Sequence, residues 1–410
     1  MWWSRRLERH PAQPRALPPT ALPSIALLAL AVGVSVANPF YSQSLLPPIA
    51  EALRLAPGTA VLVPAATQWG LAASLLLLLP LGDRLERRRL LVGAALGMAV
   101  ACLSIVVAPG FEQLLPAFFA VGLCALVPYL LPPFVAQLTP DDRRGRVLGT
   151  LLSGQFSGLL LARTFSGVLA ELAGWRAIYA VSAVVMVAVA ALFRLRLPRQ
   201  RPPHPPGYLA LQRSELRLWL RYPALRQACL RQAFLFGAFM AIWSGLALHL
   251  AAPPWRLGPA AIGAFGLVGL VSISAARPIG RLVDRHGPRQ VVRVGCLVAL
   301  VGLLLLAFGA NSLLALGIGM ACLDLGVQGT YVAHQTTVLS LDAEARTRLG
   351  TWLFFTAYLG AALCSQFVAH AWARWEWQGS TVFAAGLVLV ALLIPASEPA
   401  GGGDPPGEQG

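Results

Sequence analysis

Lysine is missing altogether: every one of the 32 basic side chains is arginine. Charge of either sign is scarce too, at 12% of residues against about 25% in soluble domains. Too little polar surface is available to coat a large soluble core, which excludes an ordinary water-soluble fold. The formal charge of +15 does not point to nucleic acid, because the arginines sit in short connectors rather than along one face. Six cysteines (Cys102, Cys124, Cys229, Cys296, Cys322, Cys364) fall singly in apolar segments without metal spacing or a disulfide framework. They read as small core residues. No His-Glu-x-x-His or Gly-x-Ser-x-Gly motif and no nucleotide-binding P-loop occurs, which argues against a metalloprotease, a serine hydrolase and an ATP-driven pump. The expectation is a protein that is not an enzyme and uses neither metal nor cofactor.

What fills the chain instead is apolar sequence, 57% of residues with a mean hydropathy of +0.67. Runs of the roughly 20 residues that a bilayer-spanning helix needs recur from Leu22 to Pro395. Breaking the chain at charged, Pro-rich or Gly-rich punctuation predicts twelve spans, at 22–48, 59–82, 89–108, 112–138, 145–172, 176–196, 224–250, 260–283, 289–309, 311–340, 346–372 and 377–395. The fold class is an all-α polytopic membrane protein of twelve transmembrane helices in two six-helix pseudo-repeats. The domains follow: a cytoplasmic tail over 1–21, a first half over 22–196, a linker over 197–223, a second half over 224–395 and a disordered tail over 396–410. Within the linker, "RSELRLWLR" has the pattern of an amphipathic surface helix. "SVA" (Ser35 to Ala37) faintly resembles a signal-peptide cleavage site, but removing that segment breaks the symmetry of the halves.

Orientation follows from arginine bias. With both termini inside, the cytoplasmic side collects Arg5, Arg6, Arg9, Arg15, Arg84, Arg87 to Arg89, Arg143, Arg144, Arg146, the linker cluster, Arg281, Arg285, Arg289, Arg293, Arg346 and Arg348. Outside loops keep only Arg54, Arg176, Arg256 and Arg374. Two charged knots, "PLGDRLERRR" (Pro80 to Arg89) and "GRLVDRHGPRQ" (Gly280 to Gln290), then occupy the same loop of each half, with Asp83 and Asp284 separated by 201 positions. "RGRVLG" against "RTRLG", and Trp175 against Trp377, repeat at 202. Three anchors at spacings of 201 and 202 indicate an internal duplication, as in transporters built from repeats.

Polar side chains are unevenly distributed among the spans. The third, ninth and twelfth are nearly featureless and the sixth is little richer, while the others carry Asn38, Tyr41, Gln68, Arg163, Trp243, Arg277, Asp324, Gln328 and Tyr358. One bland helix in three suits a central cavity lined by the remaining eight. In the tenth span Asp324, Gln328, Tyr331 and Gln335 follow helical spacing and form one stripe. An ionised Asp at membrane depth costs about 2.5–3.5 kcal/mol, so Asp324 must face water, a partner or a cavity. It is either a proton-carrying group or a paired strut. Arg163 cannot discharge, and either binds an anionic substrate or holds Asp324 as its counter-ion. His334 lies off the stripe and is expected to be satisfied and partly exposed. Arg277 is expected to snorkel to the interface. Tyr41, Tyr129, Trp243, Tyr331 and Tyr358 offer faces to a planar substrate or simply pack.

Over nearly its whole length the chain resembles the major facilitator superfamily. The family's loop signature, G-x-L-x-D-R-x-G-R, stands almost intact as Gly280, Leu282, Asp284, Arg285, Gly287 and Arg289, with Pro288 between the last two. The first copy keeps Asp83, Arg84 and Arg87, but Leu79 and Glu86 replace both glycines. "ANPFYSQSLLPPIA", "PLGDRLERRR" and "GLLLARTFSG" are similar to a bacterial subgroup of sugar or drug efflux permeases. The resemblance implies that the knots belong to a charge network closing the cytoplasmic side; a plain orientation signal is the simpler reading. The antiporter signature of the fifth helix, G-x8-G-x3-G-P-x2-G-G, survives only as Gly149, Gly158, Ala162, Arg163, Ser166 and Gly167, with Arg163 in the proline's place. The fourth-helix arginine common in drug–proton antiporters is replaced by Phe118.

The expected function is secondary transport in the bacterial inner membrane by alternating access: efflux of small amphipathic compounds or sugars, coupled to protons through Asp324 and Arg163. Asn38, Tyr41, Gln68, Trp243, Gln328, Tyr331, Gln335 and Tyr358 line the substrate cavity, and the two knots form the gate. The alternatives are an uptake symporter or facilitator for an organic anion or other small metabolite, and a non-transporting sensor, for which linker and tail are short. The expected partners are a small-molecule substrate, protons and the lipid bilayer, with no nucleic acid, in a monomer.

Overall fold

The computed structural model describes residues 23–200, 207–342 and 345–395, all of whose regular elements are helical. The tails over 1–21 and 396–410, the four N-terminal arginines and part of the linker lie outside the described residues. The first half contains α1 (Ile25–Gln43), α2 (Pro57–Asp83), α3 (Arg87–Val107), α4 (Phe111–Leu138), α5 (Asp141–Ala173) and α6 (Ala177–Arg196). A linker helix, α7 (Tyr208–Arg221), leads to α8 (Pro223–Ala251). Next come α9, bent by 41° between Pro259–Ser272 and Arg277–His286, α10 (Pro288–Phe308) and α11 (Leu313–Ser340).

The last stretch, Arg346–Leu393, is helical over 48 residues, about 72 Å at 1.5 Å per residue and more than twice a bilayer's hydrocarbon core. It breaks at Glu376, whose φ of 47° no helix accepts, into α12 (346–375) and α13 (377–393). Among the described residues ten helices are long and apolar enough to span a membrane, eleven counting the bent α9. Reading Arg346–Leu393 as two crossings brings the total to the twelve of the sequence.

Small residues set the packing. A Cβ at Gly158 of α5 would overlap the Gly33 carbonyl of α1, so those backbones touch. α1 and α8 are the most enclosed spans, with 72% and 78% of their apolar stretches buried, against 44% in α3, α6, α10 and α11 and 28% in α5. Enclosure does not follow the polar side chains: α5 and α11, which carry Arg163 and Asp324, are no more enclosed than the bland helices.

The second helix of each half is irregular. In α2 a π segment (Ser74–Leu78) runs into a 3-10 turn (Leu79–Asp83). Pro80 has no N–H to return to the Leu76 carbonyl one turn back, which unwinds the helix there. In α9 a 3-10 turn (Phe265–Val268) interrupts the helix at membrane depth. The turn after α9 is made by Gly287, at φ +80°, where a side chain would be strained, followed by Pro288 at the first position of α10. At the equivalent place in the first half Glu86 caps α3 with φ −61°, so no glycine is needed.

Candidate functional site

Arg163 lies about three turns from the end of α5 farthest from the arginine-rich face, 5% exposed. Its Nε donates to Gln43 Oε1 at 2.6 Å, and its guanidinium sits 4.1 Å from the Trp243 ring centre and 5.8 Å from that of Phe40. Neither Nη nitrogen has a hydrogen-bond partner among the described residues. Gln43 Nε2 reaches the Met240 sulfur at 3.1 Å, and Gln68 Nε2 reaches the same sulfur at 3.8 Å. The Gln68 Oε1 and Trp243 Nε1 atoms of this cluster are buried without a partner. Such atoms are costly unless something supplies a hydrogen bond.

α9 lies between Arg163 and Asp324. Built-on Cβ atoms at Gly266 and Gly269 would come 3.2 Å from the Arg163 Cβ and 3.3 Å from Asp324 Oδ2 respectively. A Cβ at Gly263, one turn earlier, would strike the Arg163 carbonyl, while the Thr164 hydroxyl donates to the Gly263 carbonyl at 3.1 Å. The glycines thus let the irregular turn of α9 lie flat against α5 from the other half. Asp324 is 9% exposed, and it and Arg163 act on one another electrostatically without an ion pair inside 4.0 Å among the described residues.

From Trp243 a run of aromatic rings leads toward the arginine-rich end. Phe239 is edge-on to Trp243 at 6.3 Å, Phe236 stacks on Phe239 at 6.0 Å, and Tyr358 meets Phe236 at 5.3 Å. The Tyr129 hydroxyl of α4 then donates to Tyr358 of α12 at 2.8 Å, a hydrogen bond between the halves. Phe354 completes the cluster, 5.2 Å from Tyr129 and 5.6 Å from Tyr331.

The α11 stripe is only partly shared with this region. Asp324 faces α9 and Tyr331 joins the aromatic cluster, whereas Gln328 and Gln335 are half-buried and show no side-chain hydrogen bond among the described residues. His334 is buried rather than partly exposed: its Nδ1 meets Gln232 Oε1 of α8 at 3.1 Å, and its Nε2 is unpartnered. The helix turn that points it off the stripe aims it at α8 instead of at the interface. Asn38 and Tyr41 belong to another cluster. Asn38 is held by the Val34 carbonyl at 2.8 Å, Cys102 and Ser182, and Tyr41 stands edge-on to Tyr179.

The charged knots also differ. Asp83 pairs with Arg87 on its own side at 3.4 Å, and Arg87 bonds the Gly82 carbonyl and Gln137 of α4. Arg84, Asp284 and Arg285 are exposed, and among the described residues Asp284 makes no ion pair. Gly280 has open space around it. Arg277 is exposed. Sequence reading missed Gln43, Met240, Phe40 and the glycines of α9. The one available signal was the Gly263–Gly266–Gly269 spacing, which places small residues on one helix face.

The family model for the Major Facilitator Superfamily matches residues 24–365. The chain is 36% identical over 370 residues to an uncharacterized transporter, YgaY, of Escherichia coli O157:H7, covering 90% of this chain and 94% of that one. It is 30% identical over 390 residues to a chloramphenicol resistance protein of Streptomyces lividans, covering 90% and 94%. Among solved structures, the nucleoside transporter NupG superposes with a TM-score of 0.72 at 12% identity, over 90% of this chain and 98% of that one.

Proposed function

The chain belongs to the major facilitator superfamily, and from that premise we propose a secondary transporter of the bacterial inner membrane, both termini cytoplasmic, that exports small amphipathic compounds or sugars in exchange for entering protons. Asp324 carries the proton and Arg163 is its electrostatic partner. The observation behind this reading is the placement of one buried acid and one buried base on either side of the broken turn of α9. With Asp324 ionised, attraction to Arg163 holds α9 and α11 of one half against α5 of the other. Protonation removes that attraction, and the halves separate along the α5–α9 seam at a changed free energy. The aromatic run from Trp243 to Tyr358 supplies faces for an amphipathic substrate.

The test is accumulation of ethidium and chloramphenicol in an efflux-deficient bacterium expressing the protein. The reading predicts lowered accumulation that a protonophore restores. Equal accumulation with and without the protein, across dyes, antibiotics and labelled sugars, contradicts export.

A second reading is favoured by one observation, the two Arg163 Nη nitrogens without hydrogen-bond partners. A carboxylate could take both, with Trp243 Nε1 beside it, making the protein an organic-anion carrier. Saturable uptake of a labelled aromatic carboxylate, abolished by Arg163→Gln, would favour this reading over export.

A further inference from the structure

The linker helix α7 lies across the seam between the halves at the arginine-rich end. Tyr208, Gln212, Glu215 and Trp219 follow one another at four, three and four residues and share one face. The first two bond α2: the Tyr208 hydroxyl donates to the Leu77 carbonyl at 3.1 Å and Gln212 Nε2 to the Leu76 carbonyl at 2.9 Å. Leu76 is the carbonyl that Pro80 leaves without its helical donor. The rest of the face meets α12 of the other half. Arg348 donates to Ser214 Oγ at 3.1 Å, Trp352 Nε1 donates to the Glu215 carbonyl at 3.1 Å, and the Trp219 and Trp352 rings lie 4.6 Å apart. Leu218 is buried with Leu225, Val338, Leu349 and Leu353.

At the centre of this bridge sits a carboxyl. Glu215 is 6% exposed and its side chain makes no hydrogen bond among the described residues. Asp83 faces it from the end of α2 and Arg348 from α12. On α7 itself Arg213 and Arg217 flank it in sequence, and Arg226 of α8 is engaged by the Trp219 and Leu220 carbonyls. A buried carboxylate between an aspartate and an arginine is not neutralised by a bonded partner, so removing its charge favours burial.

We propose that Glu215 is a cytoplasmic proton-binding latch: protonated, it holds α7 docked across the α2–α12 seam and keeps the two halves in the arrangement described here. This inference goes beyond the coupling at Asp324 and stands whether or not that residue carries a proton. The sign follows from the environment. Burial pushes Glu215 up to about 7; Arg348 pulls it down and Asp83 pushes it up. Undocked in water, the group returns to the ordinary value of about 4.3. The docked state therefore binds the proton more tightly. Docking strengthens as pH falls from 7 toward the ordinary value, about tenfold per unit, and is insensitive to pH well above 7. Rocking of the halves shifts α2 against α12 and must release one side of α7. An acidified cytoplasm accordingly slows the transport cycle.

The experiment is amide hydrogen exchange on the full-length protein in lipid nanodiscs at pH 8, 7 and 6, each rate divided by the intrinsic chemical rate. Protection over 208–221 and over 346–353 is expected to rise together, about tenfold from pH 8 to pH 6. Glu215→Gln is expected to keep the high value at every pH, and Arg348→Gln to move the midpoint upward. Asp324→Asn is expected to leave the pH midpoint of the rise in place whatever it does to the overall level of protection, which separates failure of the latch from failure of the transport reading. Protection that is flat with pH in the unaltered protein, or that changes over 208–221 alone, overturns the proposal.

Discussion

Arg163 is a cation that cannot discharge, held at membrane depth by an amide, two aromatic faces and an acid beyond direct contact. If Arg163 and Asp324 balance one another across α9, removing either leaves a lone buried charge. Arg163→Gln and Asp324→Asn are each expected to lower the melting temperature in detergent. The double variant should be less destabilised than the sum of the two, by an interaction energy on the order of 0.5–3 kcal/mol. Additive losses would show that the two side chains act independently. Trp243→Phe keeps an aromatic face under the guanidinium and Trp243→Leu does not. Only the leucine variant should therefore lose the cation–π stabilisation, about 2 kcal/mol for a desolvated pair, as read by thermal unfolding.

Among the helices, α2 and α9 are interrupted by π or 3-10 segments. Pro80→Ala restores an N–H for the Leu76 carbonyl and so competes with Gln212 for it. The expected result is a more regular α2 and a looser α7, seen as faster normalised exchange over 208–221. In α5, Gly158→Leu drives a side chain into the Gly33 backbone and is expected to destabilise by about 1–3 kcal/mol, measured as loss of folded protein after heating.

Elements are also the level at which the sequence was most legible. Apolar length and arginine placement found the spans, because hydrocarbon thickness leaves few alternatives. Trp175 and Trp377, paired by the repeat, lie just before α6 and at the start of α13 and are both buried. Arg163, Asp324 and Trp243 could be singled out because charged groups and indole rings are sparse within the spans, and all three are buried. Gln43 and Met240 could not be, since a glutamine beside a 3-10 turn and one methionine in a long apolar helix carry no periodic signal. Asn38 and Tyr41 satisfied the criterion of polarity within a span, yet their partners within the first half take them elsewhere, which only tertiary packing decides. His334 failed for the same reason: Gln232 is 102 residues away. Glu215 looked like one more charge on a surface helix, and its burial follows from α12 packing over it.

The first and second halves meet along two long seams, α5 with α9 and α2 with α12. Toward the end farthest from the arginines, α5 and α9 lie backbone to backbone. Toward the arginine-rich end the Tyr129–Tyr358 hydrogen bond crosses between halves. Tyr129→Phe and Tyr358→Phe are each expected to weaken that closure by about 0.5–1.5 kcal/mol, with the double variant no worse than either. Cysteine-accessibility labelling of positions lining the aromatic run would measure it as faster modification.

Whether Asp324 carries the coupled proton is read in proteoliposomes enclosing a pH-sensitive dye. A pH gradient is imposed, and chloramphenicol, cationic dyes, sugars and organic acids are added in turn to the unaltered protein and to Asp324→Asn. Substrate-dependent proton movement is expected in the unaltered protein and is expected to disappear in the variant. Substrate movement of equal rate in both proteins, without proton flux in either, would contradict it and leave Asp324 as a strut between helices.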